Sequence, residues 1–409
     1  MVDRFKLVSV IPSFSAGGIG TVCRYAAESI ACLSDWEVTL LSLHDPSGSE
    51  IDAASGLRLE ALGLQENCAG LFLDWLSAKP QDMVITSDVS YIEPAFPYFP
   101  ATTKHIVQLH DSSRQYREVA IRNRAWIDGV ICVGQHMEEP LRTGLDSASY
   151  LGLLRTIHNG ANFPPLKARR LYDGPIRLLF MGRVDALKGV FDFIPILRQL
   201  KKRKIPVVLS IVGGENNALR QRLIYADIDE MVQWHGRLPH DQCYSIAAES
   251  DIFMMCSRKE PFGMVTVEAM SMGCLPIAYD TPSGSKEIIE HGKSGLLVPL
   301  GDYCAWAAAI ENLYHDQKYL EKLSAGAIER ARTDFTSVVM AENMIRFIED
   351  VKLHADAYPS LREKGKPLDN QSGQVSRKSL RQRIPQSLRL WLRNQVYSYP
   401  KFSFWLLSR

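Results

Sequence analysis

Two acids, Glu260 and Glu268, stand eight residues apart in Glu260-Pro261-Phe262-Gly263-Met264-Val265-Thr266-Val267-Glu268, directly after the apolar run Asp251-Ile252-Phe253-Met254-Met255. That order predicts a buried strand, a Pro/Gly turn and a helix that carries its second acid inward. Upstream, Gly182-Arg183-Val184-Asp185-Ala186-Leu187-Lys188-Gly189 follows another apolar run, Leu178-Leu179-Phe180-Met181. A guanidinium, an ammonium and the free N–H groups of a helix start suit a diphosphate. Carboxylates suit sugar hydroxyls, from which they accept hydrogen bonds. One site holding all of these would take a nucleotide-diphosphate sugar. Each part alone has a plainer reading: two solvated cations on a βα loop, and an acid at a helix start worth well under about 1 kcal/mol.

Elements that could position these residues are written along the chain. In the first half, short apolar runs alternate with amphipathic stretches, the mark of βαβ units and a parallel sheet. The strand candidates are Lys6–Ile11, Glu37–Ser42, Met83–Thr86, His105–Leu109, Gly129–Val133 and Arg155–His158. A helix is predicted from the glycines of Ala16-Gly17-Gly18-Ile19-Gly20 through Thr21–Leu33, with Val22, Ala26 and Ile30 on one buried face. Prolines at both ends of the stretch from Pro164 to Pro175 make it the best linker candidate. A second α/β block begins at Ile176, with strands near Val207–Val212, Met231–His235, Asp251–Met255 and Leu275–Ala278. Pro195, inside the helix that follows the Arg183 loop, is expected to kink it.

Three motifs in order, the Glu-x7-Glu pair, the Gly-Arg-x4-Lys-Gly loop and Gly292-Lys293-Ser294-Gly295-Leu296-Leu297-Val298-Pro299, resemble the retaining glycosyltransferases of family 4. The resemblance runs from about Leu7 to about Asp350. It implies an α/β chain of GT-B architecture, two Rossmann-like parallel-sheet domains facing a central cleft. Residues 1–163 would form the N-terminal, acceptor-side domain and 164–335 the nucleotide-sugar-binding domain. Residues 336–356 would be a helix crossing back to the first domain, and 357–409 a basic, aromatic tail.

By the same resemblance, Arg183 and Lys188 stabilise the departing nucleoside diphosphate, and Glu260 sits beside the transferred sugar. Glu268 would accept from the vicinal ribose hydroxyls, while Phe262, Gly263, Met264 and Val265 present backbone amides to sugar hydroxyls and phosphate. Gly17 and Gly18 open the first domain's cleft, where glycine lets backbone approach a ligand closely. That loop lacks the full G-x-G-x-x-G spacing, so a dinucleotide site is poorly supported. His110 follows a strand at its C-terminal end, where open parallel sheets place ligands, and the resemblance turns it towards the donor sugar. Asp111 could orient it or serve as a base towards the acceptor, and His158-Asn159-Gly160 has the form of a hinge.

The implied activity moves a hexose-type sugar, with retention, from a nucleotide sugar to a glycan or lipid-linked glycan in cell-surface polysaccharide synthesis. Tyr279-Asp280-Thr281-Pro282-Ser283-Gly284-Ser285-Lys286-Glu287-Ile288-Ile289 most resembles users of UDP-sugars, with GDP-mannose the runner-up. A phosphorylase is disfavoured because no cofactor-lysine motif is recognisable. A binding or scaffold protein with a retired site stays open, although such a copy would be free to lose Arg183, Lys188 or Glu268 and all are present. Asp227-Ile228-Asp229 has the form of a metal motif but falls in a charged connection away from the donor motifs. No metal or other cofactor is expected, because cations and helix amides cover the charge a divalent ion would neutralise.

Composition sets the outer bounds. With 409 residues, 46% hydrophobic and 23% charged, the chain is globular and long enough for two domains. The net charge of +1 hides an asymmetry: residues 359–409 hold eleven Lys/Arg against two Asp/Glu, which leaves the remainder at −8. Such a body is no partner for nucleic acid. Eight cysteines without a C-x-x-C pair read as buried thiols of a reducing compartment. With no signal peptide and no window long enough to span a bilayer, the expected location is cytoplasmic. In the tail, the cluster Arg377–Arg383 precedes Leu388, Trp391, Leu392 and Val396 on one helical side, with Arg389 and Arg393 on the other. That pattern suits peripheral contact of residues 377–409 with an anionic inner membrane face, or docking on the chain's own acidic body.

Overall fold

The computed structural model describes residues 4–357 except 16, 148–149, 151 and 167–173. Apolar runs of the first half pair side by side into one sheet. Its strands are β1 (Lys6–Ile11), β2 (Glu37–Ser42), β3 (Gly48–Ile51), β4 (Arg58–Ala61), β5 (Met83–Ser87), β6 (Lys104–Leu109), β7 (Gly129–Cys132) and β8 (Leu153–Thr156). They lie in the order β3-β4-β2-β1-β5-β6-β7-β8, parallel throughout apart from the antiparallel edge strand β3. The second half adds β9 (Ile176–Met181), β10 (Val207–Val212), β11 (Val232–Gly236), β12 (Ile252–Met255), β13 (Leu275–Tyr279) and β14 (Leu296–Val298). This sheet is parallel, in the order β11-β10-β9-β12-β13-β14. Two doubly wound α/β units result, as the alternation of runs implied.

Each sheet is apolar on both faces and therefore needs helices on both. Beside the first sheet lie α1 (Gly17–Leu33), α2 (Cys68–Ala78), α3 (Arg114–Arg122) and α4 (Gln135–Ser147). The second has α5 (Phe193–Lys202), α6 (Asn217–Tyr225), α7 (His240–Glu249), α8 (Met264–Ser271), α9 (Gly284–Ile288), α10 (Tyr303–His315) and α11 (Gln317–Asp334). The last described helix, α12 (Ser337–Ala357), returns to the first sheet. Its Met340, Met344, Phe347 and Val351 join Leu7, Ile11, Val22, Ala26 and Ile30 in one buried cluster. Gly129 makes room for it, since a Cβ there would lie 2.8 Å from the Val351 side chain.

The two passages between the sheets run side by side. Ala161 N–H donates to the Phe335 carbonyl, and Ser337 N–H donates back to that of Ala161, both at 3.0 Å. Gly160 is obligatory at this seam because an added Cβ would come within 2.1 Å of the Thr336 carbonyl oxygen.

Several expectations need correction. β8 covers Leu153–Thr156 instead of Arg155–His158, because its register with β7 starts at Gly129 opposite Leu153. Pro195 does not kink α5: it lies in the first turn, where its missing N–H has no intrahelical partner to lose. The strands β3, β4 and β14 were not among those expected; β3 is exposed at all four positions. Most of the linker and the whole of 377–409 fall outside the described residues.

Candidate active site

The loop after β9 is shaped by two glycines in left-handed backbone. After β9, Gly182 adopts φ 138°. Asp185 then caps a short 3-10 turn at Ala186–Lys188, accepting from the N–H groups of Leu187 and Lys188 at 3.0 and 3.1 Å. Gly189 closes the turn at φ 71°, packed so tightly that a Cβ would sit 1.9 Å from the Cys256 carbonyl oxygen. That contact presses the loop after β9 against the loop after β12. Lys188 and Glu260 meet there, Nζ to Oε2 at 2.7 Å, their side chains 23% and 9% exposed. Arg183 is placed differently: its side chain is 72% exposed and pairs only loosely with Asp185, at 3.6 Å.

Beyond Glu260 the chain turns through Gly263 at φ 108° into α8. Among the described residues, the N–H groups of Phe262, Gly263, Met264 and Val265 donate to no protein acceptor, so they remain for an anion at the positive end of the helix. The Phe262 side chain turns away, packed against His158 and Phe335 with ring centroids 5.6 and 5.7 Å away. The same turn is braced by Gly284, whose N–H donates to the Glu260 carbonyl at 2.8 Å. Glu268, one turn along α8, is buried, and its Oε1 accepts from His240 Nε2 at 3.0 Å. His240 was not foreseen; it lies 28 residues upstream with no motif to mark it.

On the facing domain, Gly17 and Gly18 border open space, and Gly17 takes φ 56°. Gly20 is the packed glycine of the loop, since a Cβ there would lie 2.5 Å from the Phe14 carbonyl oxygen. His110 is buried at the end of β6. Burial pulls its imidazole down to about 4, so the ring is neutral near pH 7. Its Nε2 lies 3.6 Å from Cys23 Sγ on α1. Among the described residues no carboxylate bonds the His110 ring, and Asp111, expected to orient it or to serve as a base, does not reach it. Asp111 accepts from the Ser113 N–H at 2.7 Å, whereas Asp88 at the end of β5 accepts from the His110 N–H at 3.2 Å. Asp88 sits at φ 52°, and burial raises its carboxyl to about 7, while its Oδ2 is buried with no partner.

Glu287 on α9 ties the two domains together beside this cleft. Its carboxylate accepts from the backbone N–H groups of Gln135 and His136 at 2.7 and 2.9 Å, at the start of α4. It also meets His136 Nδ1 at 2.7 Å and His158 Nε2 at 2.8 Å. Burial works against its charge, but the hydrogen bonds from His136, His158 and the two amides win, holding the carboxyl well below the usual range. Sequence reading gave His158 a hinge role and missed its partner. The pair Asp227 and Asp229 stays in an exposed connection, with Asp227 bonded to Lys201 at 3.0 Å. Among the described residues no cluster of three His, Cys, Asp or Glu is placed to hold a metal ion.

Residues 166–330 match the model of the family described as glycosyl transferases group 1. Over 202 residues the chain is 27% identical to a glycogen synthase of Mycobacterium tuberculosis, covering 48% of this chain and 44% of that one. The chain thus spans under half the length of that relative. Among solved structures, sucrose-phosphate synthase from Thermosynechococcus elongatus superposes with TM-score 0.72 at 21% identity, over 86% of this chain and all of that one. HepE of Anabaena, solved with UDP and glucose, follows at 0.67 and 17%, over 85% of this chain and 100% of its own. Residues 166–330 are therefore similar to the glycosyl transferases group 1, on a chain with the two-sheet GT-B fold.

Proposed function

We propose that the protein is a retaining glycosyltransferase that moves a hexose-type sugar from a nucleotide-diphosphate sugar to a glycan or lipid-linked glycan acceptor in cell-surface polysaccharide synthesis. The observation that carries this reading is the meeting of Lys188 and Glu260 at 2.7 Å, next to the free amides that open α8 and on the same turn and helix as Glu268. The ammonium and amides suit the diphosphate, and Glu268 suits the ribose. Arg183, exposed on the loop, is free to swing onto the phosphates when they arrive. In the reaction the bond from the anomeric carbon to the phosphate oxygen breaks. The acceptor oxygen bonds that carbon on the same face, and its proton passes to the leaving phosphate. A neutral His110 at the cleft supplies a hydrogen-bonding group without adding charge.

UDP is the preferred nucleotide, supported by the presence of UDP with HepE on the same fold, and GDP the second choice. No metal is required, because Lys188, Arg183 and the α8 amides take up the charge that develops on the diphosphate. A thermal-shift screen in EDTA tests donor and metal together. A UDP-sugar at about 100 times its dissociation constant should stabilise the protein by about 2.7 kcal/mol, EDTA notwithstanding. No shift with any UDP- or GDP-sugar would remove the reading. A shift that needs Mn²⁺ or Mg²⁺ would remove its metal-free form.

The basic tail adds a peripheral contact with anionic lipid, which would bring the enzyme to a lipid-linked acceptor on the inner membrane face. No described helix is long and apolar enough to cross a membrane. Each Lys or Arg near such a surface adds about 1 kcal/mol of attraction. Full-length protein should pellet with anionic liposomes and a chain ending near Tyr358 should not. Equal pelleting of the two, or none by either, would count against the contact.

A further inference from the structure

We infer that His240 is a positioning residue for the nucleoside end of the site: by donating from Nε2 to Oε1 of Glu268 it fixes the orientation in which that carboxylate meets the ribose. This rests on the reading of Glu268 as the ribose acid. Among the described residues, His240 is the one side chain that donates to the Glu268 carboxylate, at 3.0 Å. A carboxylate can only accept, so Nε2 must carry the proton, and the ring tautomer is set by the contact itself. With one lone pair of Oε1 committed, the remaining pairs on Oε1 and Oε2 can still face two vicinal hydroxyls, in the single orientation that His240 permits.

The surroundings hold the imidazole in place. His240 opens α7, and its ring lies against Tyr244 one turn on, centroids 4.9 Å apart at 51°. The Tyr244 hydroxyl is buried with no partner among the described residues. The Glu268 hydrogen bond raises the His240 pKa against the opposing effect of burial. Tyr25, on α1 of the facing domain, also feels the Glu268 charge: after burial, that charge is the largest cause raising its phenol. Glu268 thus lies where both domains converge, with His240 as its one hydrogen-bond donor.

Titration calorimetry of the full chain with UDP, or with GDP if UDP gives no heat, tests the assignment. Loss of a hydrogen bond to a charged group is expected to weaken nucleotide binding about tenfold in His240→Ala. His240→Gln, whose amide nitrogen can take the place of Nε2, should bind within about threefold of wild type. Glu268→Ala should lose binding, and thermal midpoints report that each variant folds. His240→Ala binding as tightly as wild type while Glu268→Ala fails would overturn the inference and spare the ribose assignment. A Gln variant no better than Ala would also overturn it, because packing on Tyr244 would then be the cause. Tight binding by Glu268→Ala, or none by wild type to either nucleotide, would overturn the donor-site reading itself.

Discussion

Lys188→Ala is expected to cut turnover by a factor of about 10²–10³ with the fold intact, the scale for losing one donor aimed at developing charge. The loss should exceed that of Arg183→Ala, for a reason visible in the geometry. Lys188 is bonded to Glu260, whose side chain is only 9% exposed, so its removal leaves an uncompensated carboxylate facing the incoming diphosphate. Arg183 is largely exposed and, among the described residues, pairs with Asp185 at 3.6 Å, so its removal strands no buried charge. Adding Glu260→Gln to Lys188→Ala should restore donor binding in part without restoring rate. Turnover with a UDP-sugar, compared at matched thermal midpoints, is the measurement. Near-normal turnover in both single variants would sink the donor-site assignment.

Glu287→Ala should cost about 3 kcal/mol at pH 7, in the range for removing one partner from a buried charged contact. Four hydrogen bonds vanish at once, two from the opening amides of α4 and two from His136 and His158. The pH dependence has a definite sign. The folded-state pKa of Glu287 lies below its ordinary value of 4.5, so the unfolded chain binds the proton more readily. Its contribution is therefore complete above the ordinary value and is lost as pH falls from there towards the lowered one. Denaturant unfolding of wild type and variant should differ most near neutrality and converge in acid. Hydrogen exchange should quicken in the first turn of α4. Equal unfolding midpoints at pH 7 would mean that Glu287 holds nothing together.

The parts of the site that could be read from the chain are those lying close together in it. Arg183 and Lys188 share one loop, Glu260 and Glu268 one turn and helix, and glycines mark the bends between them. What escaped was the set of partners that only folding brings near. Asp111 looks like the carboxylate for His110 because it is next in the chain. In the parallel sheet, however, Ser87 on β5 stands opposite Gln108 on β6, and so the residue that follows β5, Asp88, reaches the His110 backbone N–H instead. His240 and Glu287 are hidden the same way, since their partners lie 28 to 152 residues off and side-chain periodicity records nothing of pairing across loops or domains. The strand β3 was missed for a different reason. An edge strand exposed on both sides has no apolar alternation to display.

The covering of the first sheet by α12 has a bearing on how the chain is made. Synthesis runs from the N-terminus, so the strands from Lys6 to Thr156 emerge long before Ser337 does. Until then, Leu7, Ile11, Met83, Ile85, Ile106 and Ile131 lack the Met340, Met344, Phe347 and Val351 side chains that complete their cluster. N-terminal domains ordinarily fold first, as units, while the rest of the chain is still being made. Here the earlier domain completes its core only with the later one, carrying an apolar face covered by α1 alone through the synthesis of the whole second sheet. A nascent chain stalled between the two sheets is thus the state most in need of a chaperone.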